Sequence, residues 1–129
     1  MLFRSRLEDY DQLFEEHLDL LLAVRDNEIV TWNNGKIRKP IDGRPVMPRA
    51  VQEPLPVWIA VGGTPQSVVR AASKGLPMAI AIIGGNPARF EPYASLHREV
   101  AAESGFAGTP ISINVHGLDR KSTRLNSSH

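Results

Sequence analysis

The spacing of apolar positions changes character after Pro56. Before it, Leu13, Phe14, Leu18, Leu21, Leu22 and Val24 recur at helical intervals, with Glu15, Glu16 and Asp19 mostly on the opposite face. This predicts an amphipathic helix ending near Arg25. Asp9 and Gln12 have the spacing of a capping box, with Asp9 as the N-cap. Ile29-Val30-Thr31-Trp32 and Lys36-Ile37-Arg38 flank Asn33-Asn34-Gly35, the pattern of a short hairpin with an Asn-Gly turn. Pro40, Pro45, Pro48, Pro54 and Pro56 argue against regular structure beyond it.

After Pro56 the pattern becomes regular and repeats. Val57-Trp58-Ile59-Ala60-Val61 is an unbroken apolar run of strand length, as expected for a strand buried on both faces. Gly62-Gly63 follow, and Thr64-Pro65 open a helix as N-cap and first-turn proline. That helix is expected to reach about Lys74 and to stop at Gly75. Pro77 to Ile83 forms a second apolar strand, then Gly84-Gly85, then Asn86-Pro87 opening a second helix that runs to about Ser104 and stops at Gly105. Ile111 to Val115 reads as a third strand. Two successive strand–Gly-Gly–(Thr/Asn)-Pro–helix units imply parallel strands with right-handed crossovers. The architecture is α/β, either a doubly wound sheet or part of a (β/α)8 barrel. A whole barrel needs about 250 residues, so 129 residues can hold only part of one.

Composition changes little in this picture, and charge changes one point. An apolar share of 42% with 22% charged residues is that of a globular domain. No run approaches the ~18 apolar residues of a membrane span, and Met1 to Arg6 has no apolar signal-peptide core. The absence of cysteine removes disulfides, thiolate metal sites and a cysteine nucleophile, and suits a cytoplasmic protein. The net charge of +1 depends on the tail from Asp119 to His129, without which acidic residues outnumber basic ones by one. That tail has a single apolar residue, Leu125, and no periodicity, so it is expected to be disordered. It is the peptide that a nucleotide string resembling a widely used short-read sequencing adapter would encode, so residues 1–118 are expected to be the genuine part of a longer protein. Lys36, Arg38, Lys39, Arg44 and Arg49 lack interleaved stacking aromatics and are diluted by Asp42 and Glu53; they read as a solvated connection, not a nucleic-acid surface.

In either architecture the strand C-termini share one face, where ligands bind. Both Gly-Gly turns lie there. Around Gly62, Gly63 and Thr64 the residues fit two readings: an anion site built from unpaired helical amides, with the hydroxyls of Thr64 and Ser67 adding donors, or a tight turn with a good cap. No G-x-G-x-x-G or P-loop pattern is present. His97 lacks a metal-protease spacing, His17 is a boundary residue of its helix, and His116 ends the third strand facing the same edge. Trp32 and Trp58 read as packing residues. No Ser/His/Asp set or carboxylate pair emerges.

A resemblance gathers these pieces. Tyr10-Asp11-x-Leu13-Phe14-Glu15-Glu16-x-Leu18-Asp19-Leu20-Leu21-Leu22, Val30-Thr31-Trp32, Pro48-Arg49-x-Val51-Gln52-x-Pro54-Leu55-Pro56-Val57-Trp58, Val61-Gly62-Gly63-Thr64-Pro65-x-Ser67 and Gly75-Leu76-Pro77-Met78, with the helix near Tyr93 to Gly105, resemble the luciferase-like flavin-dependent monooxygenases. The resemblance implies a partial (β/α)8 TIM barrel of about three parallel strands with crossover helices. It implies FMN as reduced flavin, with deazaflavin F420 as the alternative cofactor of an oxidoreductase on the same barrel. It further implies a small organic substrate with O2, a flavin reductase as partner, and a homo-oligomer for the complete protein. Carried over by position, Gly63, Thr64 and Ser67 hold the flavin phosphate, Val61 and Gly62 lie beside it, and Ile82 and Ile83 lie near the isoalloxazine. Bacterial luciferase has an acidic residue where Gly63 stands, so light emission and an aldehyde substrate do not carry over. The family's acid/base residues lie on strands outside this chain, so no catalytic residue is assigned. An open partial barrel has too few walls to enclose a cofactor, so the chain by itself is expected to be inactive and to bind nothing.

Overall fold

A computed structural model describes residues 9–116. The segment Met1 to Arg6 and the tail from Asp119 to His129 lie outside the described residues. The chain divides into two compact units, Met1–Pro56 and Val57–His129.

The first unit opens with helix α1 (Tyr10–Asp26). Asp9 occupies the N-cap position but its side chain caps nothing, so the expected capping box does not form. Leu18 and Leu20 are buried, while Leu21 is exposed. Positions 18 and 20 point about 200° apart around a helix, so α1 is covered on more than the single face that the spacing implied. At its C-terminus Arg49 donates to the carbonyls of Val24, Arg25 and Asn27, at 3.3, 3.1 and 2.8 Å. These are carbonyls for which a helix end has no internal donors, and a guanidinium suits that end of the dipole.

Strands β1 (Ile29–Trp32) and β2 (Ile41–Pro45) pair antiparallel, Ile29 opposite Pro45. Two expectations are corrected here. The partner of β1 is not Lys36-Ile37-Arg38, and the proline-rich stretch does contain a strand. In a two-stranded sheet β2 has one unpaired edge, so the missing N–H of Pro45 breaks no ladder. Lys36, Ile37 and Arg38 instead donate three successive backbone amides to the Glu16 carboxylate, at 2.8 to 3.2 Å. Gly35 permits this approach: a Cβ there would lie 2.5 Å from Glu16 Oε1 and 2.8 Å from Trp32 Nε1. The Asn-Asn-Gly segment therefore serves a close contact with a helix, not a two-residue hairpin turn.

The second unit contains β3 (Ile59–Val61), α2 (Pro65–Ser73), β4 (Met78–Ile82), a 3-10 turn (Pro87–Phe90), α3 (Glu91–Glu103) and β5 (Ile111–Val115). The strands form one parallel sheet in the order β3-β4-β5, with Val61 beside Ile80 and Ile82 beside Val115. Helices α2 and α3 pack on each other, and α2 packs on β3 and β4. Ile59, Val61, Met78, Ile80 and Ile82 are buried, with Val68, Ala71, Ala72, Ala94 and Ala101 from the helices. The alternate positions of β3 and β4 differ: Ala60 is exposed and Ala79 and Ala81 are half-buried; in β5 Ile111 is half-buried and Ser112, Ile113, Asn114 and Val115 are all exposed. Burial of β3 on both faces is thus not realised, because the helices cover one side of the sheet. Both helices stop where expected, Gly75 at φ +65° and Gly105 at φ +86°. In each case the next amide reaches back into the last turn, from Leu76 to Ala71 and from Phe106 to Ala101.

His97 on α3 is fully buried, with Nε2 3.1 Å from the Leu76 carbonyl oxygen. A carbonyl only accepts, so Nε2 is the protonated nitrogen. The bond ties α3 to the turn between α2 and β4. His97→Leu removes the donor and leaves that carbonyl unpaired; we expect a loss of about 1–3 kcal/mol, read from the urea midpoint.

The amide of Arg38, ahead of those of Ile37 and Lys36, holds the Glu16 carboxyl below the usual glutamate range. A depressed folded-state pKa stabilises above the unfolded value, and that stabilisation is lost as the pH falls through the folded one. Glu16→Gln should lower the melting temperature at neutral pH and flatten the wild-type decline between about pH 6 and pH 3. Parallel curves for the two proteins would contradict this.

Candidate functional site

The turn after β3 is built from its backbone outward. Val61 is buried with only 1% exposure, so it can offer a ligand backbone groups but no side chain. Gly62 is exposed and Gly63 is half-buried at φ +131°, a conformation that side-chain-bearing residues rarely adopt. Thr64 is extended, at φ −108° and ψ 123°, and Pro65 begins α2. The amides of Gly63 and Thr64 donate to no backbone acceptor among the described residues, whereas Ser67 N–H donates to the Thr64 carbonyl at 3.2 Å.

The Thr64 hydroxyl makes no capping bond to the helix. It pairs instead with the Ser67 hydroxyl at 2.7 Å. Only one of the two protons is used in that pair, so the other can donate outward. Thr64 is therefore an N-cap by backbone position alone, and its hydroxyl is not committed to the helix amides.

The second turn has the same motif and a different outcome. Gly85 has φ +86°, and Asn86 caps with its side chain, accepting from Ala88 N–H at 3.0 Å. The chain enters a 3-10 turn before α3 begins. Two turns of like sequence thus differ in whether a side chain closes the helix start. Because the strands are parallel, both turns and the exposed His116 after β5 follow strand C-termini at one edge of the sheet.

Gly62, Gly63, Thr64 and Ser67 are brought together in one turn. Ile82 and Ile83 separate. Ile82 is 2% exposed, on the buried side of β4 with Met78 and Ile80, while Ile83 is 83% exposed. One residue of this neighbourhood has no counterpart in the sequence reading: Tyr93 on α3 donates its hydroxyl to the Gly63 carbonyl at 2.9 Å. Its ring lies 6.0 Å from that of Phe90. An aromatic pair opening the helix was visible in the sequence, but nothing local relates it to a carbonyl 30 residues earlier. Among the described residues no group of three or more His, Cys, Asp or Glu could hold a metal.

The two turns make a paired prediction. Asn86→Ala removes a capping bond and should cost about 1 kcal/mol. Thr64→Ala removes none from the helix and should cost only a few tenths of that, ~0.3 kcal/mol. Urea unfolding of both variants checks the difference, and equal losses would contradict it.

The sequence model of the luciferase-like monooxygenases matches residues 2–118. No curated protein sequence matches the chain. Among solved structures, the chain is similar to the crystal structure of monooxygenase RslO1 from Streptomyces bottropensis, with a TM-score of 0.74 and 20% identity. That likeness covers 94% of this chain and 38% of the other, and at such identity it speaks for the fold. With a family match over nearly all its length and a parallel β3-β4-β5 sheet carrying crossover helices, the chain belongs to the luciferase-like monooxygenase family and has part of its (β/α)8 barrel fold.

Proposed function

We propose that this chain carries the phosphate-binding wall of a flavin-dependent monooxygenase, in which reduced FMN activates O2 to oxidise a small organic substrate. The observation that carries the proposal is the turn after β3. Among the described residues its amides at Gly63 and Thr64 meet no backbone acceptor, its hydroxyl pair has a spare proton, and the N-cap side chain makes no bond to the helix. A phosphate monoester offers only acceptor oxygens and negative charge, and this donor set fits it. No Lys or Arg lies between Val61 and Ser67, so the positive end of α2 supplies the local charge complement.

When bound, the reduced flavin supplies the electrons for O2 activation. The chain's own residues hold and orient. Gly63, Thr64 and Ser67 donate to the phosphate, with Val61 and Gly62 contributing backbone beside it. Ile83 offers exposed apolar surface to the ring, and Ile82, whose side chain is buried, contributes backbone only. Residues 1–118 would form part of one barrel domain. The sheet face bearing Ala60, Ala79 and Ala81 offers the ring little to pack against, so in this chain the phosphate is the main handle.

Titration of the 15N-labelled 129-residue chain tests this. In place of the expectation that the isolated chain binds nothing, the turn should keep a weak site: FMN at about millimolar concentration should shift the amides of Gly63, Thr64 and Ser67, while riboflavin, which lacks the phosphate, should not. Ser67→Ala should weaken the FMN response by about 5–10-fold. Equal shifts with FMN and riboflavin would sink the phosphate assignment. Stronger binding of the deazaflavin cofactor would transfer the site to that cofactor. Quenching of FMN fluorescence at about micromolar concentration would overturn the expectation that the isolated chain lacks the remaining walls.

A further inference from the structure

We infer that Tyr93 is the positioning residue of the phosphate turn, acting through the peptide that joins Gly63 to Thr64; the inference rests on the phosphate reading of that turn. The argument is one of peptide geometry. The Gly63 carbonyl and the Thr64 amide belong to the same planar trans unit, so the C=O and N–H point in opposite directions. Tyr93 donates to that carbonyl at 2.9 Å from α3. Holding the oxygen toward α3 therefore aims the Thr64 N–H away from α3.

The need for a hold comes from Gly63 itself. Glycine reaches φ +131° without the penalty of a side chain, but the same freedom gives the peptide several accessible orientations. No backbone donor among the described residues fixes the Gly63 carbonyl, and a Cβ at this position would meet only the Tyr93 hydroxyl, at 4.0 Å. Rotation of this peptide would replace the donor facing away from α3 by a carbonyl, which repels a phosphate. Tyr93 opposes that rotation. Its ring is half-buried and packs near Phe90, so the hydroxyl is held at the start of α3 and not on a mobile side chain. The start of the second βα unit thereby sets the donor geometry of the first.

Tyr93→Phe keeps the ring and deletes the bond. In this variant the order parameter of the Thr64 N–H should fall from the ~0.85 of a rigid backbone to below about 0.6. Its shift on titration with inorganic phosphate should weaken about 5–10-fold, with the melting temperature little changed. An unchanged order parameter and an unchanged phosphate response would overturn the inference. A wild-type chain whose Thr64 amide ignores both phosphate and FMN would overturn the phosphate reading, while the order-parameter comparison would still judge Tyr93. Should the variant not fold, the wild-type chain decides. Coupling through one peptide requires phosphate to shift the Tyr93 ring carbon bearing the hydroxyl together with the Thr64 amide. A Tyr93 signal that stays fixed while Thr64 moves would refute the role.

Discussion

Strand β4 is paired on both edges, and the ladder it forms with β3 and β5 sets where the other described elements of the second unit lie. Parallel pairing puts the three C-terminal ends at one edge. Alternation along β4 then sends Met78, Ile80 and Ile82 into the apolar layer. Burying those side chains is the dominant favourable term, and the helices that cover them must begin at the strand ends. The Gly62–Ser67 turn is a consequence of that layout. Its position follows from sheet and helix packing, and its chemistry from what the turn leaves unpaired.

The two units use the same donor chemistry in opposite ways. At Lys36 to Arg38 three successive amides meet an oxygen anion that the chain supplies itself, the Glu16 carboxylate. At Gly63 and Thr64 comparable amides meet no backbone acceptor among the described residues. A backbone donor is costly to leave buried and unpaired, but not at a turn open to solvent or ligand. The first arrangement is accordingly structural and the second is available for binding. Asn86 shows the intermediate case, in which a neighbouring side chain closes the donor set of an otherwise similar turn.

Side chains of α3 organise the turns at both ends of α2. His97 holds the Leu76 carbonyl after α2, and Tyr93 holds the Gly63 carbonyl before it. These bonds bind turn carbonyls that the sheet ladder does not use. They make the second βα unit a brace for the first, so the loop geometry depends on packing between the two helices as well as on the loop's own residues.

The sequence by itself determined the βα repeat, the first-turn prolines, the stops at Gly75 and Gly105 and the third strand, because each rests on local chemistry: apolar runs, fixed φ at proline, and glycine after a helix. The turn residues from Gly62 to Ser67 were legible for the same reason, and the family follows from the ensemble of such segments. Tertiary structure alone decided which donors remain open. Thr64 and Asn86 are equivalent by local rules, yet one pairs its hydroxyl with Ser67 and the other caps its helix. Glu16 looked like one more charge on a polar face until a segment 20 residues later folded over it. The faces of Ile82 and Ile83, the partner of β1 and the hold of Tyr93 on Gly63 likewise depend on residues far apart in the chain, and spacing carries no record of contacts made only when the elements pack.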